Sequence, residues 1–192
     1  MAPALLDYIA NGRVAVPLGN RDQKAAPHNV YRCKGEDRWC AIAIFNDKQW
    51  QAFKTIMGNP AWAEEKRFAT LSGRKKNELE LDRLIEDWTS NYYAKDLMIM
   101  LQEKGVPAGV VARAEDLHKD PQLAHRGHFI IVNHKVIGSY PYDAPAFRLS
   151  SAKLQVSKPS PCLGEHNKFV MTEILGYSKK EYARLKAEGA FG

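Results

Sequence analysis

A loop near the start of the chain, Gly19-Asn20-Arg21-Asp22-Gln23, carries the residue types best suited to chemistry on a small ligand. Gly and Asn let a loop turn its backbone amides toward a ligand, and Asp22 sets a carboxylate, a base or nucleophile, among them. Asp7 and Asp143 are further single carboxylates, although most aspartates face water or cap turns. Four histidines, His118, His125, His128 and His134, fall close together. Neutral imidazoles suit a metal only when they converge. Here His125 and His128 straddle Arg126-Gly127, and no pair sits at i, i+4 on a clear helix. The expectation is hydrogen-bonded or surface histidines and no metal. Cys33 and Cys40 flank a turn at residues 34–37, and with Cys162 they are too few for a four-ligand zinc clip or a disulfide framework. They read as reduced packing thiols of a cytoplasmic protein. The phosphate-cradling patterns G-x-x-x-x-G-K-[ST] and G-x-G-x-x-G are missing, as is the G-x-S-x-G nucleophile elbow.

The elements that must position these residues follow from pattern. Residues 3–10 can form a short helix with Leu5, Leu6 and Ile9 on one side, followed by a polar stretch over 12–28 with no clear period. A hairpin is expected over 30–45, its second strand being the apolar run 39–45. Asn46 and Gln49 read as a capping box, opening a helix with Trp50, Phe53 and Met57 that Gly58-Asn59-Pro60 stops. A short helix through Trp62 and Glu65 comes next. Leu81, Leu84, Ile85 and Trp88 then give the cleanest helical stripe in the chain, and Leu97, Met98 and Leu101 mark another helix ended by Gly105. Beyond it lie an extended segment at 106–111, one helical turn near 115–117, and a helix opened by Asp120-Pro121. Strands at 129–132 and 136–137 are expected around a turn at 133–135. A linker at 157–161 then leads to helices over 164–175 and from Ser178 onward. The pattern is α+β.

With 192 residues, 45% hydrophobic and 26% charged, the chain has the composition of a globular protein with a sizeable core. No apolar run is long enough to span a membrane, and the first residues lack the features of a secretory signal. The net charge of +6 is spread along the chain. A nucleic-acid binder concentrates its charge. The nearest run here, Arg74-Lys75-Lys76, reads as a solvated face at the start of a helix, so neither nucleic acid nor membrane is an expected partner, while a small polyanion fits.

Four segments in order carry a family resemblance. They are PHNVYRCKGEDRWCAIAIFNDKQWQAF (27–53), GNPAWAEEKRFATLSGRKKNELEL (58–81), KGVPAGVVARAEDLHKDPQLAHRGHF (104–129) and CLGEHNKFVMTEILGYSKKEYARL (162–185). The second holds Phe68, Arg74 and Asn77 in an RF-x-T…R-x-x-N pattern. Together they resemble the C-terminal half of the class III CoA-transferases, the family of formyl-CoA and carnitine CoA-transferases and alpha-methylacyl-CoA racemase. The resemblance implies a small helical and β domain with C-terminal return helices, without the N-terminal Rossmann-like large domain. Residues 1–30 would be a linker and active-site loop, 31–148 the small α+β domain and 149–192 the return segment.

The reaction so implied moves CoA between carboxylic acids through anhydride and thioester intermediates on an aspartate, a carboxylate being both nucleophile and leaving group. That aspartate belongs to the N-terminal half, so no catalytic residue carries over. Gly19, Asn20, Arg21, Asp22 and Gln23 match the substrate-binding loop. They lack the glycine run of formyl-CoA transferases, which points away from oxalate and toward larger acids. Arg21 would pair with a substrate carboxylate or a CoA phosphate, or else is a solvated loop arginine. The CoA thioester would be a substrate, with no covalently bound cofactor. The partners would be acyl-CoA, a carboxylic acid, and an N-terminal-half subunit or further copies in a homo-oligomer. The alternatives are a racemase-type isomerase fragment and a non-catalytic interaction module. In each case Phe169, Val170, Ile174 and Tyr182 are expected to form an apolar stripe wanting a partner surface.

Overall fold

The computed structural model describes residues 2–152 and 156–191. It is α+β and divides into two compact units, Met1–Ala112 and Arg113–Gly192.

The first unit opens with helix α1 (Ala2–Asn11), whose Leu5, Leu6, Tyr8 and Ile9 are all more than half exposed. Strands β1 (His28–Arg32), β2 (Trp39–Ala43) and β3 (Ala108–Val110) form an antiparallel sheet with β2 in the centre. The register sets Val30 opposite Ala41 and Ala41 opposite Gly109. Side chains alternate across a strand, so Cys40 and Ile42 are buried while Trp39, Ala41 and Ala43 lie half-buried. Helices α2 (Asp47–Ile56), α3 (Leu71–Lys76), α4 (Glu78–Thr89) and α5 (Ala94–Glu103) complete the unit. Trp50 and Phe53 from α2, Leu81 and Ile85 from α4, and Leu97 and Leu101 from α5 meet Tyr31, Ile42 and Ile44 in one core. Phe53 stands edge-on to Trp88, and Trp62 edge-on to Phe68, the geometry ring quadrupoles favour.

The expected punctuation is present. Gly58 and Asn59 both take positive φ after α2 and Gly105 does so after α5, and residues 61–64 form a 3-10 turn after Pro60. At the start of α2 the Asn46 side chain accepts from the Gln49 amide. The Gln49 side chain reaches past Asn46 and accepts from the Phe45 amide instead, at 2.8 Å, so the capping box closes one residue early. The basic run corrects the sequence reading more sharply. Arg74 to Lys76 end α3 rather than begin a helix, and Arg74 is fully buried. Its guanidinium donates to the Ala26 carbonyl at 2.8 Å and the Phe68 carbonyl at 3.2 Å, faces Asp47, and lies over the Trp50 ring.

The second unit holds α6 (Ala114–His118), α7 (Pro121–Arg126), a hairpin of β4 (Phe129–His134) and β5 (Gly138–Asp143), α8 (Asn167–Phe169) running into a π-helical turn over Val170–Ile174, and α9 (Lys179–Ala187). Asp120 caps α7 and Ser178 caps α9, as their positions imply. The hairpin turn falls later than expected. Its residues 135–137 include Val136 and Ile137, which are exposed and not in a strand. Gly138, at φ 74, supplies the left-handed residue the turn requires. The His134 ring accepts the Val136 and Ile137 amides through Nδ1 and so caps the turn.

Candidate functional site

Small residues on the half-buried face of the sheet leave room for a cleft. Ala41, Ala43 and Gly109 line it on that face, and a Cβ added at Gly109 would meet nothing within 4 Å. The cleft is open to solvent, about 550 Å³ in volume, and is lined also by Gly19, Asn20 and Arg21. Three of the five sequence-nominated residues therefore share one site, whereas Asp22 and Gln23 do not line it.

The loop is held by side chains on both flanks. His28 Nδ1 lies 2.5 Å from the Asn20 carbonyl. A carbonyl only accepts, so Nδ1 carries the proton. The Asn20 amide donates to Asn29, which donates to Asp82 on α4 at 3.1 Å. The Tyr31 hydroxyl donates to the other Asp82 oxygen at 2.6 Å. Burial first, and then the Asp82 carboxylate, push the Tyr31 phenol far above its ordinary value, so it remains a donor at any physiological pH.

From the other flank Lys75 Nζ donates to the Asp22 carbonyl at 2.7 Å and grips both Glu78 oxygens at 2.9 Å. Arg21 Nε faces Glu78 at 3.7 Å while its side chain stays 41% exposed. The Asp22 carboxylate accepts its own loop's Lys24 amide at 2.6 Å, an Asx turn that shapes the bend.

The other nominated groups stay apart. Asp7 pairs within its own segment with Asn11 and Arg13, and Asp143 faces His128 at 3.8 Å. His118 stacks on Phe129 and His134 caps its turn. Among the described residues no group of three or more His, Cys, Asp or Glu side chains gathers for a metal. Cys33, Cys40 and Cys162 are free thiols. Burial pushes Cys33 up to about 11 and Cys40 up to about 12, so both are protonated at neutral pH. Among the described residues no helix is long and apolar enough to cross a membrane.

His28, Asn29, Lys75 and Glu78 were not among the nominated site residues. Lys75 and Glu78 carry an i, i+3 charge signal, but nothing local ties them to a loop 53 residues earlier.

Comparisons with known proteins place this α+β chain in a family. The model of CoA-transferase family III matches residues 1–167, and the chain belongs to that family. It is 32% identical over 188 residues to the succinyl-CoA–D-citramalate CoA-transferase of Chloroflexus aurantiacus, covering 98% of this chain and 46% of that protein. It is 28% identical over 169 residues to the succinate–glutarate CoA-transferase of Agrobacterium fabrum, covering 88% of this chain and 42% of that one. The crystal structure of a CAIB/BAIF family protein from Brucella suis superposes with a TM-score of 0.74 at 31% identity, over 90% of this chain and 44% of that one. The chain thus spans less than half the length of these relatives.

Proposed function

We propose that this chain is the C-terminal part of a CoA-transferase that moves CoA between carboxylic acids, with its cleft receiving the acid. The catalytic aspartate comes from the N-terminal half, whether joined to this chain or separate from it. In this reading residues 1–30 supply the loop, 31–148 the small domain and 149–192 a segment that returns to the large domain. The observation that carries it is Arg21 at the edge of an apolar cleft, inside a family match covering most of the chain. A guanidinium can hold a carboxylate through two parallel hydrogen bonds, and the alanines and glycine leave room for a short carbon chain. The Chloroflexus and Agrobacterium relatives are named for succinate, glutarate and citramalate, all dicarboxylic acids. The names favour transfer over racemisation, and the absence of a glycine run at 19–24 favours four- and five-carbon dicarboxylates over oxalate.

The test is to fill the cleft. Gly109→Leu adds a side chain where open space lies. It is expected to weaken succinate binding at least about tenfold, because the added isobutyl group covers the strand surface on which the acid's carbon chain would lie. The thermal midpoint should stay near that of the unmodified chain. Equal succinate affinity in the two proteins would place the acid elsewhere.

A further inference from the structure

Glu78 is only 6% exposed, and two cations converge on it. Lys75 takes both of its oxygens at hydrogen-bonding distance, whereas Arg21 stands at 3.7 Å, beyond that distance. Both cations attract this carboxylate, but only the lysine hydrogen-bonds to it, and the Arg21 guanidinium keeps its donors for another anion. Lys75 also spends a hydrogen bond on the Asp22 carbonyl. It ties the backbone next to Arg21 to the joint between α3 and α4.

We infer that Lys75 and Glu78 are positioning residues, which clamp the 19–24 loop and present Arg21 at the cleft for the free carboxylate of an incoming acid. The inference rests on the reading of the cleft as an acid site. It adds to that reading the groups that set the loop. Glu78 attracts Arg21 without saturating it, and Lys75 prevents Glu78 from drawing Arg21 fully away from the cleft. An arriving carboxylate then competes with an ion pair that has no hydrogen bonds. Without the lysine the loop loses its hydrogen bond at the Asp22 carbonyl, and Arg21 is no longer held at the cleft.

Hydrogen–deuterium exchange over residues 18–25 of the full chain, paired with calorimetric titration of succinate, tests this. Lys75→Met is expected to speed exchange of the segment about tenfold, since exchange follows the population of the opened loop, and to weaken succinate binding to a similar degree. Lys75→Arg, which keeps the charge and the donors, is expected to restore both. The thermal midpoint should be alike in all three proteins, separating positioning from general stability. Glu78→Gln is expected to speed loop exchange as well, and should it fail to fold, the two lysine variants decide alone. Exchange in Lys75→Met equal to that of the unmodified chain would overturn the clamp. Faster exchange in Lys75→Met, with no succinate binding by the unmodified chain, would uphold the clamp and overturn the acid-site reading.

Discussion

Arg74 shows how far a residue's role can differ from its sequence context. In a run of three basic residues, solvation is the natural reading, yet this side chain is fully buried and joins α3 to the chain at Ala26. Its fork suits it to two carbonyls at once, but those acceptors belong to positions 26 and 68, beyond any local pattern. The cysteines were legible, because a pair flanking a turn inside an apolar hairpin favours packing, and both are buried. Their titration gives a signed prediction. From an ordinary value of 9.0, burial raises Cys33 to about 11 and Cys40 to about 12. The unfolded chain therefore loses these protons first. Stability linked to them is fully present below pH 9.0 and falls as pH rises toward about 12. Urea melts at a series of alkaline pH values should show that decline, and at pH 8 a thiol reagent should label Cys162 far faster than Cys33 or Cys40. Rapid labelling of all three thiols in the folded chain would contradict it.

At the scale of elements, caps and stops were the readable part. Asn46, Asp120 and Ser178 all accept an amide in the first turn of their helices, and Gly58-Asn59 turns the chain after α2 through two positive φ angles. These features depend on neighbours within four residues, which a sequence displays. The cleft loop was legible as a candidate from its Gly and Asn, but its anchorage was not. Lys75 and Glu78 reach it directly, and Asp82 through Asn29, from helices that only folding brings near. The joint that carries those anchors also depends on close approach. A Cβ at Gly73 would clash with the Arg67 carbonyl oxygen, a backbone atom that cannot turn aside. Gly73→Ala is expected to cost about 1–3 kcal/mol, the range for forced overpacking, read as a lower denaturation midpoint. A midpoint unchanged within error would mean that α3 shifts freely.

Across the whole molecule, apolar surface is left open in both units. Leu5, Leu6 and Ile9 on α1 are at least 60% exposed, and Phe169 and Ile174 in the second unit are more than half exposed. Patches of this kind mark surfaces that another body covers, and the chain spans under half the length of its relatives. Both facts fit the proposal that this chain contributes an acid-binding cleft to a larger enzyme whose covalent chemistry falls to a carboxylate of the other half. The most direct measurement is CoA transfer from succinyl-CoA to isotopically labelled glutarate. It should be run with the 192-residue chain alone and with the N-terminal half of the Chloroflexus relative added. The account predicts no labelled glutaryl-CoA from the chain alone and its formation when both halves are present. Transfer by the chain alone at the same rate, or none from the assembled halves, would contradict it.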